Sequence, residues 1–225
     1  MDTLLKVRIA RLRRIAAKIA LLAALLVIAE VAGQTSDLVL PPAQTDGGKP
    51  LMQALKERRT TRSFAEQSLP PQVLSNLLWA AFGINRPDND HRTAPSARNW
   101  QEIDVYVALR EGLFVYDAKA HALKRVVAQD LRALSGTQAH AREAPATLVY
   151  VADEGRMSRA DDETRTTFAA SDTGFIAQNV YLFCASEGLA TVVFASIDRA
   201  RFAQAAGLRT NQRITLAQSV GYPKR

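Results

Sequence analysis

The stretch from Thr164 to Glu187 reads as one long helix whose apolar side chains fall around much of its circumference: Phe168, Phe175, Ile176, Val180, Leu182 and Phe183, with Asn179 among them. A helix with one apolar stripe needs one neighbour, whereas a helix apolar nearly all round has to be enclosed. Gly188 follows as its stop. The rest of the chain must therefore build a shell around a central helix. IDVYVAL (103–109) alternates as a strand does, and EGLFVYD and HALKRV flank a turn at Asp117-Ala118-Lys119, the pattern of a hairpin. PATLVYVA (145–152), TVVFA (191–195) and RITLAQSVGY (213–222) add strands. Pro50 opens a helix over LMQALKERR. A second helix spans Pro71–Phe82, with Leu74, Leu77, Leu78 and Ala81 on one face and Gly83 closing it. Asp198 caps a short helix reaching about Ala206, and residues 84–99 carry no periodic signal and read as loop. Helices mixed with strands, including an antiparallel hairpin, predict an α+β fold rather than a regular parallel α/β sheet.

A chain of 225 residues holds one good core and is short for two. Its organisation predicts three parts. Residues 1–33 contain six of the Lys/Arg and two acids, a basic stretch ending in Arg13-Arg14 before the apolar run Ile19–Ala29 and the small residues Val31-Ala32-Gly33. That run is short of the roughly 20 residues a membrane span needs. It fits the apolar region of an export signal and predicts an exported, periplasmic protein; an uncleaved membrane anchor and a cytoplasmic amphipathic helix are the other readings. Residues 34–49, rich in Pro, Gly, Ser, Thr and Gln, read as a linker or arm. Residues 50–225 form the folded domain. Of the formal charge of +7, the first 33 residues supply +4. The +3 left for the remainder removes the case for a nucleic-acid-binding surface. A single cysteine, Cys184, excludes an internal disulfide framework and a cysteine zinc cage, and it reads as core. Three histidines, His91, His121 and His140, leave little for a histidine metal site.

Three segments have the composition of a binding site. Glu57-Arg58-Arg59-Thr60-Thr61-Arg62-Ser63-Phe64 places three arginine guanidinium forks and two threonine hydroxyls where a helix passes into a loop, a combination suited to phosphate oxygens; read alone, it is a solvated basic helix end. Arg92-Thr93-Ala94-Pro95-Ser96-Ala97-Arg98-Asn99-Trp100-Gln101 offers compact donors and acceptors suited to the polar edge of a flat heterocycle, or an ordinary strand entry. Gly221-Tyr222-Pro223-Lys224-Arg225 adds two cations, or a frayed basic tail.

Together these segments resemble the nitroreductase family of flavin enzymes, and most closely its SagB-type dehydrogenase branch. The first is similar to the family's R-R-S/T-x-R-x-F, the second to its P-S-x-x-N-x-Q loop, and the end to its V-G-Y-P-x-R close. Asp172-Thr173-Gly174-Phe175-Ile176-Ala177-Gln178-Asn179 through Gly188-Leu189 resembles its D-x-G-x-x-x-Q-N…G-L helix. The resemblance covers residues 50–225. It implies a central, mostly antiparallel sheet flanked by helices, built as a homodimer with FMN at the interface and touched by both chains. It assigns Arg58 and Thr60 to the FMN phosphate, Arg59 to the phosphate or ribityl chain, Arg62 to the pyrimidine edge, and Lys224 and Arg225 to the phosphate. Pro95, Ser96, Asn99 and Gln101 fall to the flavin's polar edge, and Ala195 and Ser196 to the backbone donor at N5. The implied activity is a ping-pong oxidoreductase passing hydride or electrons through the flavin between a small-molecule donor and acceptor. It needs no side-chain nucleophile or base and no metal. A flavin-binding carrier or sensor without turnover is the other reading. Two departures stand out: Ala195 and Ser196 stand where some members have an acid and a glycine, and Glu102 follows Gln101 where the family commonly has proline. The arm 34–49 is a candidate to embrace a partner chain.

Overall fold

The computed structural model describes residues 36–224. The expected export segment and Arg225 lie outside the described residues. In chain order the elements are β1 (Leu38–Val39), α1 (Leu51–Glu57), α2 (Pro71–Phe82), β2 (Ile84–Arg86), β3 (His91–Arg92), β4 (Ile103–Leu109), β5 (Gly112–Asp117), β6 (Ala122–Val127), α3 (Arg132–Ser135), α4 (Ala139–Glu143), β7 (Ala146–Asp153), α5 (Asp162–Glu187), β8 (Ala190–Phe194), α6 (Arg199–Ala206) and β9 (Gln212–Gly221).

Seven strands form one sheet in the order β1-β6-β5-β4-β7-β9-β8. Every pairing in it is antiparallel. Every residue of β7 is buried, as a strand covered on both faces must be. The two-residue period sorts its side chains between two cores. Leu148, Tyr150 and Ala152 point with Val105 and Val107 of β4 toward α2 and α5. Val149 and Val151 point with Tyr106 and Ala108 toward α3, α4 and α6, where Leu131, Ala141 and Phe202 pack. The α+β expectation holds, with the sheet as the middle of three layers. Among the described residues no helix is long and apolar enough to cross a membrane.

The long helix α5 begins two residues earlier than the sequence predicts. The Asp161 carboxylate accepts the Thr164 N–H at 2.8 Å as its N-cap, and Gly188 ends it in the left-handed region at φ +71°. Enclosure is less complete than its composition suggests. Ala169, Ile176, Ala177, Val180, Tyr181 and Cys184 are buried, yet Phe175 is 47% exposed, because the sheet, α1 and α2 cover only part of its circumference.

Structure also begins before Pro50. β1 pairs with β6, and the arm continues along its own chain. Ser75 Oγ donates to the Pro41 carbonyl at 2.6 Å, Gln72 Nε2 to the Pro42 carbonyl at 2.9 Å, and the Lys49 N–H to Ser186 Oγ at 2.9 Å. Residues 84–99 are not featureless loop: β2 and β3 pair as a small hairpin, followed by a short helical turn over Ala97–Asn99.

Candidate functional site

α1 stops at Arg58, whose N–H still bonds the Ala54 carbonyl. Beyond it the chain is drawn along the end of the sheet. The Thr61 N–H donates to the Thr191 carbonyl at the start of β8 (2.9 Å), and the Ala65 N–H to the Tyr222 carbonyl (2.9 Å). Phe64 bridges to Pro223, and the Lys224 N–H reaches the Ser63 carbonyl at 3.2 Å. Phe64 is buried against Gly221, where an added Cβ would come within 2.5 Å of Pro145 and 3.2 Å of the Phe64 ring. The first and third sequence segments are thereby laid side by side, with Lys224 against Ser63.

Tyr181 of α5 anchors this arrangement. Its hydroxyl accepts the Val193 N–H of β8 at 3.0 Å and shares a 3.0 Å hydrogen bond with Thr60 Oγ1, while the Arg58 guanidinium lies 5.3 Å from its ring centroid. Nothing in the sequence marked Tyr181 beyond a polar aromatic on a buried helix. Arg59, Thr60, Arg62 and Lys224 are exposed and Arg58 half-buried. Among the described residues none of the three arginines makes an ion pair. A cavity of about 400 Å³ opens beside them, lined in part by Lys49, Lys56, Arg58, Arg59, Thr61 and Tyr181.

β8 ends at Phe194, so Ala195 and Ser196 sit just past the strand rather than within it. The Ser196 carbonyl accepts the Thr137 N–H at 2.9 Å, and the Ala195 carbonyl accepts from Arg199 Nη1 at 3.0 Å. Two buried polar atoms here have no hydrogen-bond partner: Ser196 Oγ and His140 Nε2. The His140 ring meets Phe194 edge-on at 5.0 Å. Burial, and secondarily the charge of Arg62, hold the His140 pKa below its ordinary value. His140, another residue the sequence left unassigned, packs on the last residue of β8.

The loop of Pro95, Ser96, Asn99 and Gln101 is elsewhere. It rests on α5 at Asp172, which accepts the Ala97 N–H at 2.9 Å, and Trp100 packs edge-on against Phe168 at 6.0 Å. Asp172 precedes Tyr181 by nine residues, about 13 Å along the helix. Arg98, Asn99 and Gln101 all adopt left-handed backbone, at φ +50°, +53° and +47°, uncommon for residues with side chains. Gln101 pins the loop: its Nε2 donates to Asn99 Oδ1 (2.9 Å) and the Asp90 carbonyl (3.0 Å), and its Oε1 accepts from Arg92 Nε (2.8 Å). The structure thus brings Arg58, Arg59 and Thr60 together around Tyr181 and lays Arg62, Ser63 and Lys224 along the neighbouring sheet end. Ala195 and Ser196 follow the other end of β8, and Pro95, Ser96, Asn99 and Gln101 form a separate group.

Residues 55–222 match the profile of the nitroreductase family. The chain belongs to the nitroreductase family. Membership makes it an oxidoreductase by kind. A nitroreductase homologue from Methanocaldococcus jannaschii is 29% identical over 170 residues, 71% of this chain and 84% of its own. A nitroreductase homologue from Ralstonia eutropha superposes with a TM-score of 0.82 at 41% identity, over 85% of this chain and 91% of that one. The NADPH:FMN oxidoreductase of Vibrio harveyi shares the fold at 20% identity and a TM-score of 0.58, over 78% and 69% of the two chains. The donor set of this nitroreductase-family chain fits a flavin mononucleotide: unpaired guanidiniums and a threonine hydroxyl suit a phosphate, and the orphaned Ser196 hydroxyl at the end of β8 has a bond still to make.

Proposed function

We propose that this chain is an FMN-dependent oxidoreductase, a nitroreductase or SagB-type dehydrogenase, acting as a homodimer with a small-molecule donor and acceptor. The observation that carries the reading is the gathering of Arg58, Arg59 and Arg62, all without ion-pair partners, with Thr60 and Lys224 at one end of the sheet. Among the described residues Glu57 is the one acid lining the cavity beside Lys49, Lys56, Arg58 and Arg59, so the basic side chains outnumber it and an anion is favoured there. Arg58, Arg59, Thr60 and Lys224, with Arg225, would grip the phosphate. Arg62 would face the pyrimidine edge, and the backbone at Ala195 and Ser196 the N5 side. Bound FMN supplies the two-electron redox chemistry. The chain's own residues bind it, fix its orientation and bias its charge.

A homodimer reading is supported by the separation of the two residue groups along α5, which leaves the 95–101 loop free to serve a partner's phosphate grip. It is also supported by apolar surface in need of cover: Leu51, Met52 and Leu55 of α1 are 62%, 75% and 43% exposed, and Phe175 of α5 is 47% exposed. Phe175→Glu is expected to raise the dimer dissociation constant by about 100-fold or more, because a carboxylate would be buried without a partner. Sedimentation velocity at micromolar protein reads this directly, and an unshifted dimer would place the contact elsewhere.

The cofactor test is an absorbance spectrum of purified protein, with heat release of any chromophore. Bands near about 370 and 450 nm with about one FMN per chain are expected of bound oxidised flavin. Colourless protein that takes up no added FMN would sink the flavin reading and return the arginines to a solvated helix end. Turnover with any donor and acceptor pair separates an enzyme from a flavin carrier.

A further inference from the structure

Two carboxyl side chains are buried together at the foot of the 95–101 loop. Glu102 is wholly inaccessible and Asp172 is 2% exposed. Glu102 leads into β4, and Asp172 faces it from α5 within hydrogen-bonding reach. Each uses one oxygen to hold the loop. The Ser96 hydroxyl donates to Glu102 Oε2 at 3.2 Å, and the Ala97 N–H donates to Asp172 Oδ2 at 2.9 Å. Ser96 Oγ in turn accepts the Gln101 N–H at 2.8 Å. Glu102 Oε1 has no donor at all.

No cation compensates the pair. Among the described residues neither carboxylate makes an ion pair. The nearby arginines are engaged otherwise: Arg92 with Gln101 Oε1 and the Phe82 carbonyl, Arg156 with the Gln101 carbonyl and Asp104, and Arg98 over the Trp100 ring. Two adjacent buried carboxylates with no cation cannot both stay ionised at low cost. A proton on Glu102 Oε1 removes one charge and gives the orphaned oxygen a partner in Asp172.

The geometry points to Glu102 and Asp172 as a proton-sharing pair that positions the 95–101 loop, and with it Asn99, for flavin binding. The inference rests on the flavin reading of the site and deepens it. The loop needs such a catch, because Arg98, Asn99 and Gln101 hold left-handed backbone only while the surroundings impose it. Burial first, and the charge of Asp172 after it, push the Glu102 pKa from 4.5 up to about 7. The folded chain therefore holds a proton on Glu102 that the unfolded chain gives up near pH 4.5. That proton is lost as pH rises through about 7, and stability falls over the same interval. Once it is gone, the two charges repel and draw in water. The Ser96 hydroxyl stays with the Glu102 carboxylate, since that bond favours the ionised form, and the Ala97 N–H stays with Asp172, so the loop between them is pulled out of register as the two carboxylates part.

The test compares wild type with Glu102→Gln, which stays neutral at every pH. FMN dissociation constants are measured at pH 6.5 and 8.5 by quenching of flavin fluorescence. Between these values wild-type affinity is expected to fall about 10-fold relative to the variant. In parallel, carboxyl carbon-13 NMR of the FMN-free protein follows Glu102 itself, with a midpoint expected near 7 that moves down in Asp172→Asn. An FMN affinity whose pH dependence is the same in wild type and Glu102→Gln overturns the positioning role. A Glu102 midpoint near 4.5 overturns the shared proton. Loss of FMN binding at both pH values in the wild type strikes the flavin reading and the loop's role in it, while the carboxyl titration still decides the shared proton.

Discussion

Arg58→Ala is expected to leave a folded protein whose affinity for FMN is lower by about 100-fold. Arg58 makes no ion pair, so its removal exposes no buried charge. It lies over the Tyr181 ring, whose hydroxyl is already committed to Thr60 and the Val193 N–H. The guanidinium is thus held beside the cavity, in the proposed phosphate grip, with little entropy left to lose on binding. A charge-assisted, forked contact to phosphate is worth about 1.5–3 kcal/mol, and about 2.7 kcal/mol is a factor of 100 in Kd. Arg58→Lys keeps the charge and loses the fork, so an intermediate loss near 10-fold is expected. Arg59 is exposed and shares its charge with Glu57, and its alanine variant should cost only a few-fold. Fluorescence titration with FMN ranks the three, with circular dichroism as the check on folding. An Arg58→Ala protein that binds within about threefold of wild type would mean that the phosphate sits elsewhere.

Much of this frame was legible in the sequence because period and punctuation agree there. The face of Leu74, Leu77, Leu78 and Ala81 on α2 is buried as its spacing requires. Asp117 turns the β5–β6 hairpin by accepting the Lys119 and Ala120 N–H groups, each at 2.9 Å. Asp198 caps α6 by accepting the Arg201 N–H. What escaped was decided at a distance. β2 and β3 are too short for a period and are held by side chains, with Arg86 Nη2 bonding the Arg92 carbonyl. Phe175 reads as core by composition and is exposed because a single chain covers only part of α5. The burial of Glu102 and Asp172 runs against what charge alone predicts, since such side chains are seldom inside. The first and last segments looked suited to one site, but their adjacency depends on residues 61–65 pairing beside β8 and the tail of β9, which no local pattern encodes.

Gln218→Leu should produce the largest loss of stability, about 3 kcal/mol, and should loosen the site with it. Gln218 is fully buried on β9. Its Oε1 accepts the Tyr150 hydroxyl of β7 at 2.7 Å, and its Nε2 donates to Thr191 Oγ1 of β8 at 3.0 Å and to the Ala177 carbonyl of α5 at 3.3 Å. One amide therefore ties three strands to the central helix. Leucine fills nearly the same volume, so the cost is polar: the Tyr150 O–H is stranded in the core, and an unsatisfied buried group costs about 1–3 kcal/mol beyond the bonds lost. For a domain of this size about 3 kcal/mol corresponds to a fall in Tm of roughly 6–12 °C. Tyr150→Phe removes the stranded hydroxyl. The double variant Tyr150→Phe/Gln218→Leu should therefore be less destabilised than the sum of the singles by about 1 kcal/mol or more. Strict additivity in chemical denaturation would mean that the two side chains do not depend on each other. The functional consequence follows from the same ties. β8 carries the Thr191 carbonyl that receives Thr61 and leads into Ala195 and Ser196 just past its end, while α5 carries Tyr181. A β8 free to shift against α5 separates the Tyr181 hydroxyl from the Val193 N–H, so FMN affinity in Gln218→Leu should drop several-fold at temperatures where the protein is still folded.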